Sequence, residues 1–174
     1  MPSNNDIKTT LERTVKALTL KPALGRDTGI SKVTIREGLT CDVQEGNWKF
    51  SVDMPPAAGG NGSAPSPGVY GRAALGSCLA IGYMMHAARK GIAINSLEVE
   101  VQADFDDGVL FGVHHDVPPG YTEVRYTVII ESDAPEEEIF RILDEADAHS
   151  PYLDVFSRGQ DCKRQVKINS PQQS

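Results

Sequence analysis

The chain has 174 residues, of which 40% are hydrophobic and 24% charged, with a formal net charge of −7. This length and composition are typical of one folded domain with a substantial core. The negative charge, together with the lack of any run of lysine or arginine, argues against nucleic acid as a partner.

Apolar residues recur at helical spacing between residues 5 and 19, which predicts a first helix. From Ile30 the pattern alternates with a period of two, as in a strand. Gly46-Asn47 separates two such segments, so we expect a β-hairpin, with a bend or bulge near Glu37-Gly38. The next stretch, 54–68, is rich in proline and glycine. It predicts a loop that either moves freely or is pinned in front of the following helix.

The longest apolar run extends from Tyr70 to Lys90 and contains Cys78. Apolar side chains fall on nearly every face of the predicted helix, which is typical of a helix buried all round. Its uncharged part holds about 13 residues, fewer than the roughly 20 that span a bilayer, so we expect no membrane partner. Lysine and glycine at Lys90-Gly91 predict the end of the helix.

The second half of the chain predicts strands near 97–104 and 122–130, a helix that starts after Asp133, and a closing strand at 163–168. Strands in contiguous blocks indicate an α+β fold with antiparallel sheet. One sheet of five or six strands cannot cover a helix that is apolar on all faces. We therefore expect a homodimer in which two such helices pack together between two sheets.

Cys78 has two interpretations, a reactive thiol or a buried core residue, and the sequence leaves both open. His114-His115 could bind a metal, but no third ligand is spaced to help, so a solvated loop is expected. The three cysteines, Cys41, Cys78 and Cys162, show no metal-binding or disulfide pattern. No secretion signal precedes the first charged residues. We expect a cytoplasmic protein without a cofactor.

Several segments resemble a known family: Gly38–Val43, Val52–Pro55, Gly59-Gly60, Ser66-Pro67, Ala73–Ala80, Lys90–Ile92, Leu97–Val101 and His149–Pro151. The family is OsmC/Ohr, the osmotically inducible and organic hydroperoxide resistance proteins, and this chain resembles a divergent member. The resemblance implies an OsmC-like domain over 30–170, preceded by an N-terminal helix and loop over 1–29. It also implies an intertwined homodimer, with antiparallel sheets wrapped around central helices, and a thiol peroxidase site at the dimer interface.

By this resemblance Cys78 is the peroxidatic cysteine, which attacks a hydroperoxide and becomes a sulfenic acid. The family's resolving cysteine falls at Ser150, which cannot form a disulfide and which also fits a helix N-cap before Pro151. The family's acidic residue after the proline at the start of the helix is missing, since Gly68 and Val69 stand there.

The family arginine is expected on the first strand. Arg36 fits by its spacing to Gly59-Gly60, and Arg26 fits by its Gly-Arg-Asp setting; we favour Arg36. Arg72 is a further cation near the start of the central helix.

Two functions follow. The first is thiol-dependent reduction of organic hydroperoxides in an oxidative-stress response, with Cys78 recycled by an external thiol reductant or by Cys162. The second is a catalytically inactive protein of the same fold. It would bind a small apolar ligand at the dimer interface, in a pocket lined by these residues: Tyr70, Met84, Met85, Tyr152 and Phe156.

Overall fold

The computed structural model describes residues 3–169 of the chain. The helices of this part are α1 (Asn4–Leu20), α2 (Pro67–Lys90), α3 (Asp107–Leu110), α4 (Glu136–Asp147) and α5 (Pro151–Ser157). The strands are β1 (Lys32–Glu37), β2 (Thr40–Glu45), β3 (Trp48–Val52), β4 (Ser96–Asp104) and β5 (Glu123–Glu131). The predicted mixture of helices and antiparallel sheet is confirmed.

The first sheet is an antiparallel meander in the order β1-β2-β3. Its β1–β2 register shifts between Ile35 and Glu37, which confirms the predicted bulge. The β2–β3 hairpin closes where Glu45 lies opposite Trp48, across the predicted turn. Apolar side chains of this sheet remain exposed, including Val33 at 61% and Trp48 at 78%. A sheet of this kind normally covers a core, and within the described chain it covers little.

The second sheet is the antiparallel pair β4–β5, in continuous register from Ser96 opposite Glu131 to Asp104 opposite Glu123. Side chains alternate between exposed and half-buried along both strands, as the sequence predicts. The half-buried face packs against α2, and α4 and α5 also contact that helix. The core of the chain therefore lies between α2 and the β4–β5 pair.

One face of α2 is fully buried, since Leu75, Leu79 and Tyr83 are each 1% exposed or less. Gly76 lets the helix lie close to β4, because a Cβ at this position would be 3.1 Å from Cγ2 of Val101. The helix ends at Gly91 in the left-handed conformation with φ of 75°, as the sequence predicts.

The opposite face of α2 is not buried in the single chain. Ile81 is 59% exposed and Met85 is 38% exposed, so the single chain leaves this face uncovered, and its burial by a second copy stays a prediction. The physical reason is that a two-stranded sheet and short helices cover only one side of a 24-residue helix. The first helix α1 adds partial cover, with Asn4 Nδ2 donating to the carbonyl of Ile92 at 3.4 Å.

The loop after β3 is pinned by Asp53, which is 1% exposed. Its carboxylate accepts hydrogen bonds from the backbone N–H groups of Met54, Asn61 and Ser63 and from Ser63 Oγ. These bonds lower the pKa of Asp53, and the bond from the Ser63 N–H contributes most. Gly60 is required in this loop, because a Cβ there would lie 1.9 Å from the carbonyl oxygen of Met54.

The segment that follows α5 is irregular up to residue 169, so the predicted strand at 163–168 is wrong for the single chain. Val166 is 65% exposed and Ile168 is 87% exposed. An alternating pattern becomes a strand only where a neighbouring strand completes its backbone hydrogen bonds. In residues 3–169 neither sheet includes a strand paired with this segment.

Candidate functional site

Cys78 lies in the middle of α2 and is half-buried. Its Sγ is 3.6 Å from Oγ of Ser150, a distance at which either group can donate a hydrogen bond. The two residues are 72 positions apart in the chain. They meet because α5, which follows Ser150, packs against α2.

Ser150 is 8% exposed and caps the N-terminus of α5. Its Oγ accepts a hydrogen bond from the backbone N–H of Leu153 at 3.3 Å, and Pro151 occupies the first turn. The predicted N-cap is confirmed. The same hydroxyl therefore holds the start of α5 and contacts the thiol.

Arg36 lies on β1, where it is exposed and forms an ion pair with Asp42 of β2 at 3.6 Å. Within residues 3–169, no hydrogen bond or ion pair joins Arg36 to Cys78. Arg26 follows the turn at Pro22–Gly25 and is also exposed. Which of the two is the family arginine stays a prediction, because the single chain places neither against the thiol.

The other two cysteines lie elsewhere. Cys41 is on β2, half-buried and opposite Ile35 and Val52, whereas Cys162 is exposed in the irregular C-terminal segment. All three cysteines are free thiols.

A half-buried acid, Asp147, lies three positions before Ser150 and was not singled out from the sequence. Tyr83 Oη donates to Asp147 Oδ1 and Tyr126 Oη donates to Asp147 Oδ2, each at 2.7 Å. Burial first, and the acid second, raise the pKa of Tyr126 to about 12 and also raise that of Tyr83. Tyr126 occupies an inward-facing position in the alternating pattern of its strand, and the hydroxyl of a buried tyrosine needs a hydrogen-bond partner. The identity of that partner depends on how α4 packs.

The histidines serve local contacts. His114 lies 3.3 Å from Asp106 Oδ2 and 2.5 Å from Asp116 Oδ1. No group of three or more potential ligands that could hold a metal occurs in the described part of the chain. His86 lies 3.8 Å from Glu145 of α4, and its ring centroid is 5.8 Å from that of His149. It therefore sits against α4.

A second polar group occupies the start of α2. Arg72 Nη1 donates to Tyr121 Oη at 3.4 Å, and Tyr121 donates to the carbonyl oxygen of Gly68 at 3.0 Å. The Tyr121 ring stacks on the ring of Phe156 in α5, with ring centroids 6.1 Å apart. A Cβ at Gly68 would lie 3.4 Å from Arg72 Nη1. The arginine thus borders the space where the family's acidic side chain is expected.

The apolar residues predicted to line one ligand pocket are divided among several places. Met84 and Met85 line a groove of about 520 Å³ beside Ile7 of α1. Tyr70 packs against Phe50, with ring centroids 5.1 Å apart, and its Oη donates to the carbonyl of Ser51. Tyr152 on α5 is 43% exposed. One chain does not bring these residues into one pocket.

Solved structures with this fold come from several bacteria. An OsmC like protein from Mycoplasma pneumoniae matches with TM-score 0.64 and 18% identity, over 75% of this chain and 87% of that chain. An organic hydroperoxide resistance protein from Elizabethkingia anophelis matches with TM-score 0.58 and 18% identity, over 76% and 89%. The organic hydroperoxide resistance protein OsmC from Legionella pneumophila matches with TM-score 0.54 and 18% identity, over 75% and 90%.

A comparison with curated proteins finds no match. No helix in the described range, 3–169, is long and apolar enough to cross a membrane. A sequence model of the family described as OsmC-like protein matches residues 60–163, which is more than half of the chain and includes both Cys78 and Ser150. The chain therefore belongs to the OsmC-like protein family.

Proposed function

We propose that this chain forms a homodimer and reduces organic hydroperoxides through Cys78. The observation that carries the proposal is the contact of 3.6 Å between Sγ of Cys78 on the central helix and Oγ of Ser150 at the start of α5. Membership of the OsmC-like family supports it, and two solved structures with the same fold are named organic hydroperoxide resistance proteins.

In the proposed reaction the Cys78 thiolate attacks the outer oxygen of the hydroperoxide. The O–O bond breaks, the sulfur is oxidised to a sulfenic acid, and the alkoxide takes up a proton and leaves as an alcohol. The Ser150 hydroxyl, within hydrogen-bond distance of the sulfur, can donate to the thiolate before the attack. Its place as the cap of α5 keeps it oriented for this role.

Recycling requires a thiol from outside this pair, because a serine cannot form a disulfide. An external thiol condenses with the sulfenic acid, which releases water and forms a mixed disulfide. A second thiol then releases Cys78 as a free thiol and leaves with the first as an oxidised disulfide. The exposed Cys162 is the alternative first thiol within the chain.

The dimer is proposed because two apolar surfaces lack cover in one chain: the face of α2 with Ile81 and Met85, and the first sheet with Val33 and Trp48. Apolar surface of this extent in a soluble protein indicates an interface. A second copy would also supply a cation to the thiol, and we propose Arg36 for that role. Residues 30–170 would form the dimeric body and 1–29 an N-terminal extension.

The test is stopped-flow reaction of the reduced protein with an organic hydroperoxide, followed by turnover with an external thiol. We expect hydroperoxide consumption in the native protein to fall to the uncatalysed background in Cys78→Ser. The matched control is Cys41→Ser, which removes another half-buried thiol and should retain the rate. Equal rates in the native protein and Cys78→Ser would rule out the proposed peroxidase.

A gain-of-function variant tests the role assigned to position 150. In Ser150→Cys the two sulfur atoms start near 3.6 Å and need to approach to about 2.05 Å to bond. We expect one hydroperoxide to consume two thiols in this variant, and a dithiol to regenerate it. Consumption of a single thiol would show that the two side chains do not act as a pair.

The binding-protein alternative is favoured by one observation, the apolar groove of about 520 Å³ beside Met84 and Met85. In that case Cys78 is an ordinary core thiol. Titration with a thiol reagent separates the two functions. A Cys78 that reacts only after denaturation supports the binding protein, and a rapidly reacting Cys78 in the folded protein supports the peroxidase.

A further inference from the structure

A second pocket, of about 380 Å³, opens at the first turns of α2. Neither Cys78 nor Ser150 is among the residues that line it. Most of its walls are apolar, and these side chains contribute: Met54, Pro67, Phe105, Leu110, Pro119 and Tyr121. A pocket of this size and character accommodates a small ligand with an apolar body.

Arg72 is the cation in the wall of this pocket, and it is half-buried. In residues 3–169 no carboxylate lies within 4.0 Å of the Arg72 guanidinium. Within the same range, the arginines that do form ion pairs are mostly exposed. Its hydrogen bond to Tyr121 Oη uses one of five N–H donors. A half-buried guanidinium with donors to spare favours an anionic group.

The space beside Arg72 is left open by Gly68. A side chain at that position would begin 3.4 Å from Nη1 of Arg72 and 3.6 Å from Oη of Tyr121. An acidic residue there would pair with the arginine and neutralise it. Glycine instead leaves the guanidinium accessible to a ligand.

One acid, Asp107, also lines the pocket, but it is exposed and forms no ion pair with Arg72. Charges in contact with solvent are screened more strongly than half-buried ones. The positive charge of Arg72 therefore outweighs the negative charge of Asp107 inside the pocket. Asp107 weakens the attraction for an anion without cancelling it.

We propose that this pocket, named here the Arg72 pocket, binds an amphipathic monocarboxylate. The apolar walls hold the hydrocarbon part, and the free N–H groups of Arg72 bind the carboxylate. The Tyr121 hydroxyl, which donates to the carbonyl of Gly68 and accepts from Arg72, orients the guanidinium. The binding requires neither the thiol of Cys78 nor any redox step, so it is independent of the proposed peroxidase reaction.

The test is isothermal titration calorimetry with decanoate and with decanol, on the full chain carrying Cys78→Ser. We expect decanoate to bind at least tenfold more tightly than decanol, and Arg72→Gln to remove that difference while decanol binding is unchanged. Arg72→Lys, which keeps the charge but not the planar guanidinium, should retain part of the preference. Asp107→Asn should tighten decanoate binding.

The matched control is Arg89→Gln, which removes an exposed arginine from the same helix and should leave both affinities unchanged. Equal affinities for decanoate and decanol would overturn the proposal. So would a decanoate affinity that is unchanged in both Arg72→Gln and Asp107→Asn. Loss of peroxidase activity in the Cys78→Ser background does not affect the readout. Failure of this proposal and failure of the proposed function are therefore distinguishable.

Discussion

Two tyrosine hydroxyls share the carboxylate of Asp147, three residues before the Ser150 cap. The paired donors satisfy both oxygens of this acid beside the core. They also link three elements, since Tyr83 belongs to α2, Tyr126 to β5 and Asp147 to the end of α4. This cluster fixes the end of α4 and with it the position of Ser150.

Replacing one donor tests this cluster. We expect Tyr126→Phe to lower the free energy of unfolding by about 1–3 kcal/mol at neutral pH, because the carboxylate loses one of its hydrogen bonds. The measurement is urea unfolding. Tyr152→Phe is the control, because Tyr152 is 43% exposed and should change little. Equal losses in both variants would contradict this role.

The same tyrosines predict an alkaline effect. The pKa of Tyr126 is raised to about 12 in the folded chain, above the value near 10 of an unfolded tyrosine. The folded state therefore holds its proton more tightly. This stabilisation is complete below pH 10 and is lost as the pH rises towards 12. Ultraviolet absorbance titration should show two of the five tyrosines ionising late.

His86 predicts an acid effect of the opposite sign. Burial first, and then Arg89 and His149, lower its pKa, and Glu145 only partly offsets this. The unfolded chain therefore takes up a proton below about pH 6.5 more readily than the folded chain. The stabilisation is present above that pH and is lost as the pH falls through the folded pKa.

Urea unfolding across this pH range, in the native chain and in His86→Gln, measures the effect. The variant should show a flatter dependence of stability on pH. The exposed His115 provides the control, and His115→Gln should keep the native dependence. An unchanged slope in His86→Gln would mean that other groups cause the dependence.

At the scale of elements, the loop between β3 and α2 depends on one carboxylate. Asp53 accepts four hydrogen bonds in this segment. In Asp53→Asn one carboxylate oxygen is replaced by an NH2 group, which donates hydrogen bonds and cannot accept them. We expect faster proteolytic cleavage within residues 54–66 and faster amide exchange at Asn61 and Ser63. The exposed Asp42→Asn is the matched control. Equal cleavage in the two variants would contradict the role of Asp53.

The pKa of Asp53 is lowered by the same bonds. Its stabilisation is therefore present above the unfolded value, near pH 3.9, and is lost as the pH falls through the folded value. In the native chain we expect proteolytic cleavage of the loop to become faster as the pH falls through this range. Asp53→Asn should lack this acid response.

Several elements follow from local sequence. The bulge near Glu37, the hairpin turn at Gly46-Asn47 and the end of α2 at Gly91 each depend on residues within a few positions, and all are observed. The strand expected at 163–168 depends on a neighbour that the single chain does not supply. Asp53 was missed because its partners lie up to ten residues away.

At the scale of the whole molecule, the exposed face of α2 predicts self-association. We expect native mass spectrometry to detect a dimer. Ile81→Glu should weaken that dimer at least tenfold, because a buried charge at an apolar interface lacks a partner. Phe140→Glu is the control, since Phe140 is 57% exposed on α4, which packs on α2 by its other face. A stable monomer in the native protein would contradict the prediction.

Motifs and periodicity along the chain are enough to predict the family, most of the elements and the helix that carries Cys78. The surroundings of the thiol depend instead on tertiary packing. Packing of α5 on α2 brings Ser150 to 3.6 Å from Cys78, and Arg72 lies beside the space at Gly68. The arginine on β1 lies outside this arrangement in one chain, since long-range contacts depend on how elements pack and not on local spacing.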